Sequence, residues 1–110
     1  MERVMTISSL HLVEILLPKE SGNGQPINKD WFDGFLKELT DKFGGATSFL
    51  RAPGEGLWKR GADTERDSIA VVEVMVHRLD PNFWQLLRER LERELSQDEI
   101  IIRAQEITRL

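Results

Sequence analysis

The chain of 110 residues contains no cysteine. This absence excludes a disulfide scaffold, a thiol nucleophile and thiolate metal sites. The uncharged apolar runs are too short to span a bilayer, and the first residues do not resemble a signal peptide. Because 40% of the residues are hydrophobic, the composition does not fit a disordered chain. We therefore expect one domain over residues 1–110, with residues 1–8 frayed, in the cytoplasm and without a membrane partner.

An excess of basic residues is also missing. The 15 lysines and arginines are outnumbered by 19 aspartates and glutamates, which leaves a formal net charge of −4. Nucleic-acid affinity depends on a net basic surface, so we expect no nucleic-acid partner. The one dense charge run is nearly balanced and fits a solvated helix face. At helical spacing it predicts three ion pairs: Arg88 with Glu92, Glu89 with Arg93, and Arg90 with Glu94.

Hydrophobic periodicity predicts six elements of secondary structure. The strands are expected at 10–17, 46–52, 68–78 and 99–108, and the second strand is expected to resume at 57–59 after an interruption. The helices are expected at about 31–43 and 81–95, with Asp30 and Asp80 as N-caps and Gly44-Gly45 ending the first. Two β-α-β halves of this kind predict an α+β ferredoxin-like βαββαβ sandwich. In that fold a four-stranded antiparallel sheet of order 4-1-3-2 carries both helices on one face.

Alternation along the strands assigns each side chain to one face of the sheet. The even-numbered residues of 70–76 are uniformly apolar and are expected to face the helices. The opposite, helix-free face then combines Glu14, Glu73, Arg103 and His77 with several large apolar side chains. An apolar sheet face left open usually marks an interface. We therefore expect a homodimer through the helix-free face, as in dimeric α/β-barrel proteins.

The charged residues of the helix-free face are the candidates for a site. We expect the first and third strands to be adjacent and parallel, which places Glu14 and Glu73 at similar heights on the same face. Two like charges at this separation are unfavourable unless a cation pairs with them or one carries a proton. Arg103 is expected beside Glu14, and Arg51 beside Glu73 or nearer to His77. Two interpretations remain: a polar pocket in which Glu73 or His77 acts as acid or base, or an ion-pair network that fixes dimer register.

The two histidines do not predict a metal site. With parallel strands, His11 and His77 would lie roughly 20 Å apart along the sheet. No Glu-x-x-His or His-x-His spacing occurs, and thiolate ligands are lacking. We expect neither a metal nor a cofactor.

The stretch Arg51-Ala52-Pro53-Gly54-Glu55-Gly56-Leu57-Trp58 has the most specific local sequence. Its glycines and proline predict a bulged strand or a short lid, and Trp58 would supply a flat contact surface. Such a lid could close over a small organic anion bound by Arg51, with Glu55 in the same loop. Alternatively, Trp58 only fills the edge of a dimer core.

This stretch, preceded by Phe43-Gly44-Gly45-Ala46-Thr47 and followed later by Gln97-Asp98-Glu99-Ile100, resembles a group of small uncharacterised bacterial proteins of the dimeric α/β-barrel type. The resemblance implies a ferredoxin-like fold but no particular activity. Two hypotheses follow for function. The first is a homodimeric small-molecule protein, enzymatic or not, with its pocket between the sheet face and residues 51–58. The second is a non-enzymatic interaction or regulatory module that uses the same face.

Overall fold

The computed structural model describes residues 9–18, 20–44, 47–51 and 69–110. It contains four strands and two helices within these ranges. In chain order they are β1 (Ser9–Pro18), α1 (Lys29–Phe43), β2 (Thr47–Arg51), β3 (Ile69–Val76), α2 (Pro81–Glu94) and β4 (Ile101–Thr108). The expected α+β class is confirmed. The predicted frayed segment 1–8 and the predicted resumption of the second strand at 57–59 lie outside the described residues.

The strands are hydrogen-bonded in the order β2-β3-β1-β4, and each neighbouring pair is antiparallel. The predicted parallel alignment of the first and third strands is therefore wrong. A helical crossover makes β1 and β2 parallel, and β3 returns antiparallel beside β2, so β3 must oppose β1 as well. The prediction that Glu14 lies level with Glu73 is nevertheless correct, because the antiparallel register pairs these two residues directly.

The core lies between one sheet face and the two helices. The even-numbered residues of β3 from Ala70 to Val76 are all buried there, as the alternation predicts. They pack with apolar side chains of β1, of the two helices and of the segment between α2 and β4: Val13, Ile15, Leu17, Phe35, Leu39, Trp84, Leu87, Leu91, Leu95 and Ile100. Burial of these side chains supplies the main driving force for folding and holds the sheet as a rigid platform.

Helix α1 begins two residues before its predicted start. Asn28, and not Asp30, is the N-cap, since its side-chain oxygen accepts a hydrogen bond of 2.8 Å from Trp31 N–H. Ile27 and Phe32, on either side of this start, both pack against the core, at the two positions of a hydrophobic staple. Asp30 lies instead in the first turn, where its negative charge interacts favourably with the positive end of the helix dipole and stabilises α1.

Helix α2 begins as its sequence predicts. Asp80 accepts hydrogen bonds from the backbone of Asn82 and Phe83, and Pro81 occupies the first helical position. The Arg88–Glu92 and Arg90–Glu94 ion pairs predicted from the charge run are both present, each at 3.0 Å.

Glu92 connects the end of α2 to the residue before β4. Its Oε2 accepts hydrogen bonds of 3.0 Å from Ile100 N–H and from Arg88 Nη1. The bond from the Ile100 N–H, followed by the charged bond from Arg88, lowers the pKa of Glu92. The resulting stabilisation is complete above the pKa of glutamate in the unfolded chain, about 4.3, and is lost as the pH falls through the lower folded-state pKa.

We expect Glu92→Gln to be less stable than the wild-type chain at pH 7, because the charged acceptor is lost. The difference should shrink as the pH falls from about 4.3 through the lower folded-state pKa of Glu92, where the wild-type carboxylate itself becomes protonated. Urea unfolding between pH 3 and pH 7 measures this, with Glu106→Gln on exposed β4 as the control. A difference that stays constant over this range would contradict the assignment.

Candidate functional site

One row of register-paired residues crosses the middle of the sheet. Register pairs Thr47 with Glu73, Glu73 with Glu14, and Glu14 with Arg103, from β2 to β4. Two carboxylates thus lie directly opposite each other on neighbouring strands, and one guanidinium follows them. The formal charge of the row is −1.

Arg103 contacts Glu14 as predicted. Its Nε donates a hydrogen bond of 3.0 Å to Glu14 Oε1. The two side chains differ strongly in burial, since 11% of the Glu14 side chain is exposed against 58% of the Arg103 side chain. The carboxylate is therefore withdrawn from water, while the guanidinium, which has five N–H donors, remains accessible for a further acceptor.

Glu73 sets the chemistry of the row. It is partly buried, and it lies across the strand pair from Glu14, whose charge is already matched by Arg103. Like charges directly opposite on a sheet repel, and partial burial weakens screening by water. A cation or a hydrogen-bond donor facing Glu73 would relieve this repulsion. The row is thus suited to hold a ligand that presents such a group.

Apolar side chains surround the row above and below. Leu10 and Val71 are buried, although they lie on the helix-free face, whereas Met75 and Ile101 are about half exposed at 49% and 48%. Large apolar side chains next to a charged row make this face chemically different from an ordinary solvated sheet surface. The prediction that the helix-free face combines charged and large apolar side chains is confirmed.

Arg51 and His77 do not join the row. The residue opposite Glu73 on β2 is Thr47, and Arg51 pairs with Ile69, four residues further along β3. The expected flanking of Glu73 by Arg51 is therefore wrong, and Arg51 lies at the opposite end of β3 from His77. His77 is exposed and follows the end of β3, also four residues from Glu73, or about 13 Å along an extended chain. It is too far from Glu73 to share a proton with it.

The histidine separation is also corrected by the antiparallel register. His11 pairs with Val76, so His77 follows at the same end of the sheet. The separation of roughly 20 Å, estimated from parallel strands, is therefore wrong. Within residues 9–18, 20–44, 47–51 and 69–110, no group of three or more histidine, aspartate or glutamate side chains is placed to hold a metal ion.

The predicted lid lies outside the described residues, except for Arg51. Glu55 and Trp58 lie outside the described residues, and the backbone of Arg51 is where β2 ends. Their roles as ligand-binding residues remain predictions.

A second cluster, between the two helices, was not predicted. It surrounds a cleft of about 300 Å³ that is lined by Asp30, Trp31, Gly34, Phe35, Glu38, Arg90 and Glu94. Arg90 binds both carboxylate oxygens of Glu38 at 2.8 and 2.9 Å, and Trp31 Nε1 donates to Glu94 at 3.2 Å. The hydrogen bonds from Arg90 to Glu38 raise the pKa of the Arg90 guanidinium, which therefore stays charged. The Arg90–Glu94 spacing is visible in the sequence, but the Glu38 contact depends on helix packing.

In the part of the chain that the structure describes, no helix is long and apolar enough to cross a membrane. No family model and no curated protein matches the sequence. Among solved structures, the chain is similar to a phage SAM lyase in complex with S-methyl-5'-thioadenosine, with a TM-score of 0.58 and 14% identity. The match covers 100% of this chain and 91% of the lyase chain, and at this identity it concerns the fold alone.

Proposed function

We propose that this chain is a small-molecule-binding protein whose ligand lies over the helix-free sheet face, at the row of Glu73, Glu14 and Arg103. The observation that carries the proposal is the pairing of Glu14 with Glu73, two carboxylates held opposite each other with one arginine. A ligand that presents a hydrogen-bond donor or a cationic group to Glu73 would compensate the remaining charge.

The proposal includes a ferredoxin-like sandwich of the dimeric α/β-barrel type. The strand order β2-β3-β1-β4 and the packing of both helices against one sheet face support it. The likeness to the phage SAM lyase supports the ligand-binding part of the proposal, because that protein holds a small organic molecule, S-methyl-5'-thioadenosine, on a similar fold.

We further propose that residues 51–58 cover the ligand. Arg51 would bind an acidic group of the ligand, with Glu55 and Trp58 in the same loop. Since Arg51 pairs with Ile69, this anionic end would lie away from Glu73, toward the far end of β3. A small organic molecule with an acidic group at one end and a donor at the other fits this arrangement. If the protein is an enzyme, Glu73 is the candidate acid or base, and His77 would have to act elsewhere.

The alternative function is an interaction or regulatory module. The half-exposed Met75 and Ile101 favour it, since a second copy or another protein would cover them. A homodimer through the helix-free face is compatible with both functions. The two differ in what Glu73 does, because only the first requires its carboxylate to contact a small ligand.

We expect Glu73→Gln to weaken ligand binding by at least about tenfold, because a charged acceptor becomes a neutral one. Isothermal titration calorimetry with S-methyl-5'-thioadenosine and with a panel of small organic acids identifies a ligand of the wild-type chain first. Glu106→Gln makes the same change on the other face of the sheet and should bind normally.

The oligomeric state of Glu73→Gln separates the two functions. A variant that dimerises normally and loses the ligand supports the small-molecule function. Loss of dimerisation with no change in the ligand affinity of the monomer would show that the charged row is structural. A wild-type dimer that binds none of the probes favours the interaction module.

A further inference from the structure

We infer that two copies of this chain pair through their helix-free faces about a twofold axis along β1, so that Glu73 of each copy binds the partner's Arg103. The inference deepens the proposed function and rests on it, since it assigns a second subunit to the proposed ligand site. It follows from the order of charges in the row and from the position of β1.

The strand β1 is the middle of the three strands that carry the charges. Across β3, β1 and β4 the row is Glu73, Glu14, Arg103, which reads negative, negative, positive. A twofold axis parallel to β1 reverses this order in the facing copy while keeping every row at its own height. Glu73 then faces the partner's Arg103 at both ends of the row, while Glu14, which is bonded to Arg103 of its own chain, faces its own copy at the centre. In the neighbouring row the same operation sets the partly buried Leu16 against its own copy, apolar against apolar.

A second face-to-face arrangement is unfavourable because it brings like charges together. A twofold axis across the strands, along the row itself, would place each side chain opposite its own copy. Glu73 would then face a glutamate and Arg103 an arginine, which is the like-charge contact that interfaces avoid. A shift of the first axis to the gap between β1 and β3 would set Glu73 against the partner's Glu14. A shift to the gap between β1 and β4 would set Glu14 against the partner's Arg103 and leave Glu73 without a cation. Among these arrangements, the axis along β1 alone sets a guanidinium against Glu73.

The geometry of Arg103 permits this contact. Its bond to Glu14 uses Nε, and 58% of its side chain remains exposed, so its terminal nitrogens can reach a second carboxylate. In the dimer each arginine would bridge Glu14 of its own chain and Glu73 of the partner. Four carboxylates and two guanidinium groups then leave a central charge of −2, which a cationic or donor-bearing ligand would reduce.

Charge-reversal variants test the pairing, and the first of them leaves the Arg103–Glu14 bond in place. Glu73→Arg keeps the Arg103–Glu14 bond and adds a cation beside Glu14, so the chain should fold, but it sets arginine against arginine across the dimer. We expect its dimer dissociation constant to rise at least about tenfold. The double variant Glu73→Arg with Arg103→Glu restores opposite charges at both ends and should dimerise like the wild type. Glu106→Arg, the same charge change on the other face, is the control.

Sedimentation velocity of separate and mixed variants decides the matter. Glu73→Arg mixed with Arg103→Glu should form a heterodimer more readily than either forms a homodimer. If Arg103→Glu does not fold alone, the homodimer of the double variant, measured by itself, replaces this mixture. A wild-type dimer that Glu73→Arg leaves intact, or a double variant that stays monomeric, overturns the inference. A wild-type chain that is monomeric at all concentrations yet binds a ligand also overturns it, and leaves the proposed ligand site standing.

Discussion

Replacing Gly22 with alanine should lower the free energy of unfolding by about 2 kcal/mol, whereas replacing Gly34 with alanine should raise it by about 0.5–1 kcal/mol. The two substitutions are chemically identical, and the structure predicts opposite signs. Gly22 lies in the turn between β1 and α1, and Gly34 lies inside α1.

The turn at Gly22 packs directly on the end of α2. Its N–H donates a hydrogen bond of 2.9 Å to Leu95 C=O, and Gln97 Nε2 donates one of 3.1 Å to Glu20 C=O nearby. A Cβ at Gly22 would lie 1.5 Å from the backbone oxygen of Ser96. Because that oxygen belongs to the main chain and Ser96 already has a positive φ of 52°, the turn must move away and these bonds weaken.

Gly34 has no such neighbour. No atom lies within 4 Å of a Cβ built there, and the position is exposed. Alanine costs less backbone entropy in a helix than glycine, so the substitution should stabilise α1. Urea unfolding of both variants, followed by circular dichroism, measures the two effects. If Gly22→Ala proved as stable as the wild-type chain, the close approach of the turn to α2 would be wrong.

The sequence predicts the faces of the sheet well because side-chain alternation does not depend on strand direction. Alternation therefore predicts one face for Glu14, Glu73 and Arg103 whether β1 and β3 run parallel or antiparallel. Direction is set by the connections between strands, and it decides which residues meet at the strand ends. The predicted separation of His11 and His77 depends on strand direction and is wrong, whereas the predicted pairing of Glu14 with Glu73 does not depend on it and is correct.

Contacts between residues close in sequence can be predicted from the sequence, whereas contacts between distant residues cannot. The Asp80 cap and the Arg88–Glu92 pair involve residues within four positions of each other, so the sequence contains the whole signal. The predicted N-cap of α1 is wrong because Asn28 and Asp30 are both good N-cap residues. The packing of Ile27 and Phe32 against the core decides between them in favour of Asn28. The Arg90–Glu38 bond joins residues 52 positions apart, and only the packing of α1 on α2 brings them together.

Replacing Arg103 with leucine should destabilise the fold by about 2 kcal/mol, while replacing Glu14 with leucine should cost little or even stabilise it. The asymmetry arises from burial. Without Arg103, the buried Glu14 carboxylate lies opposite Glu73 with no cation in the row. Without Glu14, the largely exposed guanidinium is solvated by water, and leucine fits between Leu12 and Leu16 on the same face.

The double variant completes the thermodynamic cycle. With both residues replaced by leucine, stability should return close to that of Glu14→Leu alone, which gives a coupling of about 2 kcal/mol between the two sites. Urea unfolding should be performed at concentrations low enough that the midpoint no longer depends on protein concentration, so that dimerisation does not contribute.

The outcome bears on why a charged row lies in the centre of an apolar face. If Glu14→Leu is as stable as the wild-type chain, the fold does not require the carboxylate. A buried carboxylate without a folding role, facing a second carboxylate, is then best explained by a ligand or a partner that uses it, because burial of a charge is otherwise costly. Equal losses from Glu14→Leu and Arg103→Leu would instead mean that the ion pair itself stabilises the sheet. The row would then be a structural network, and the proposed ligand site would lose its main support.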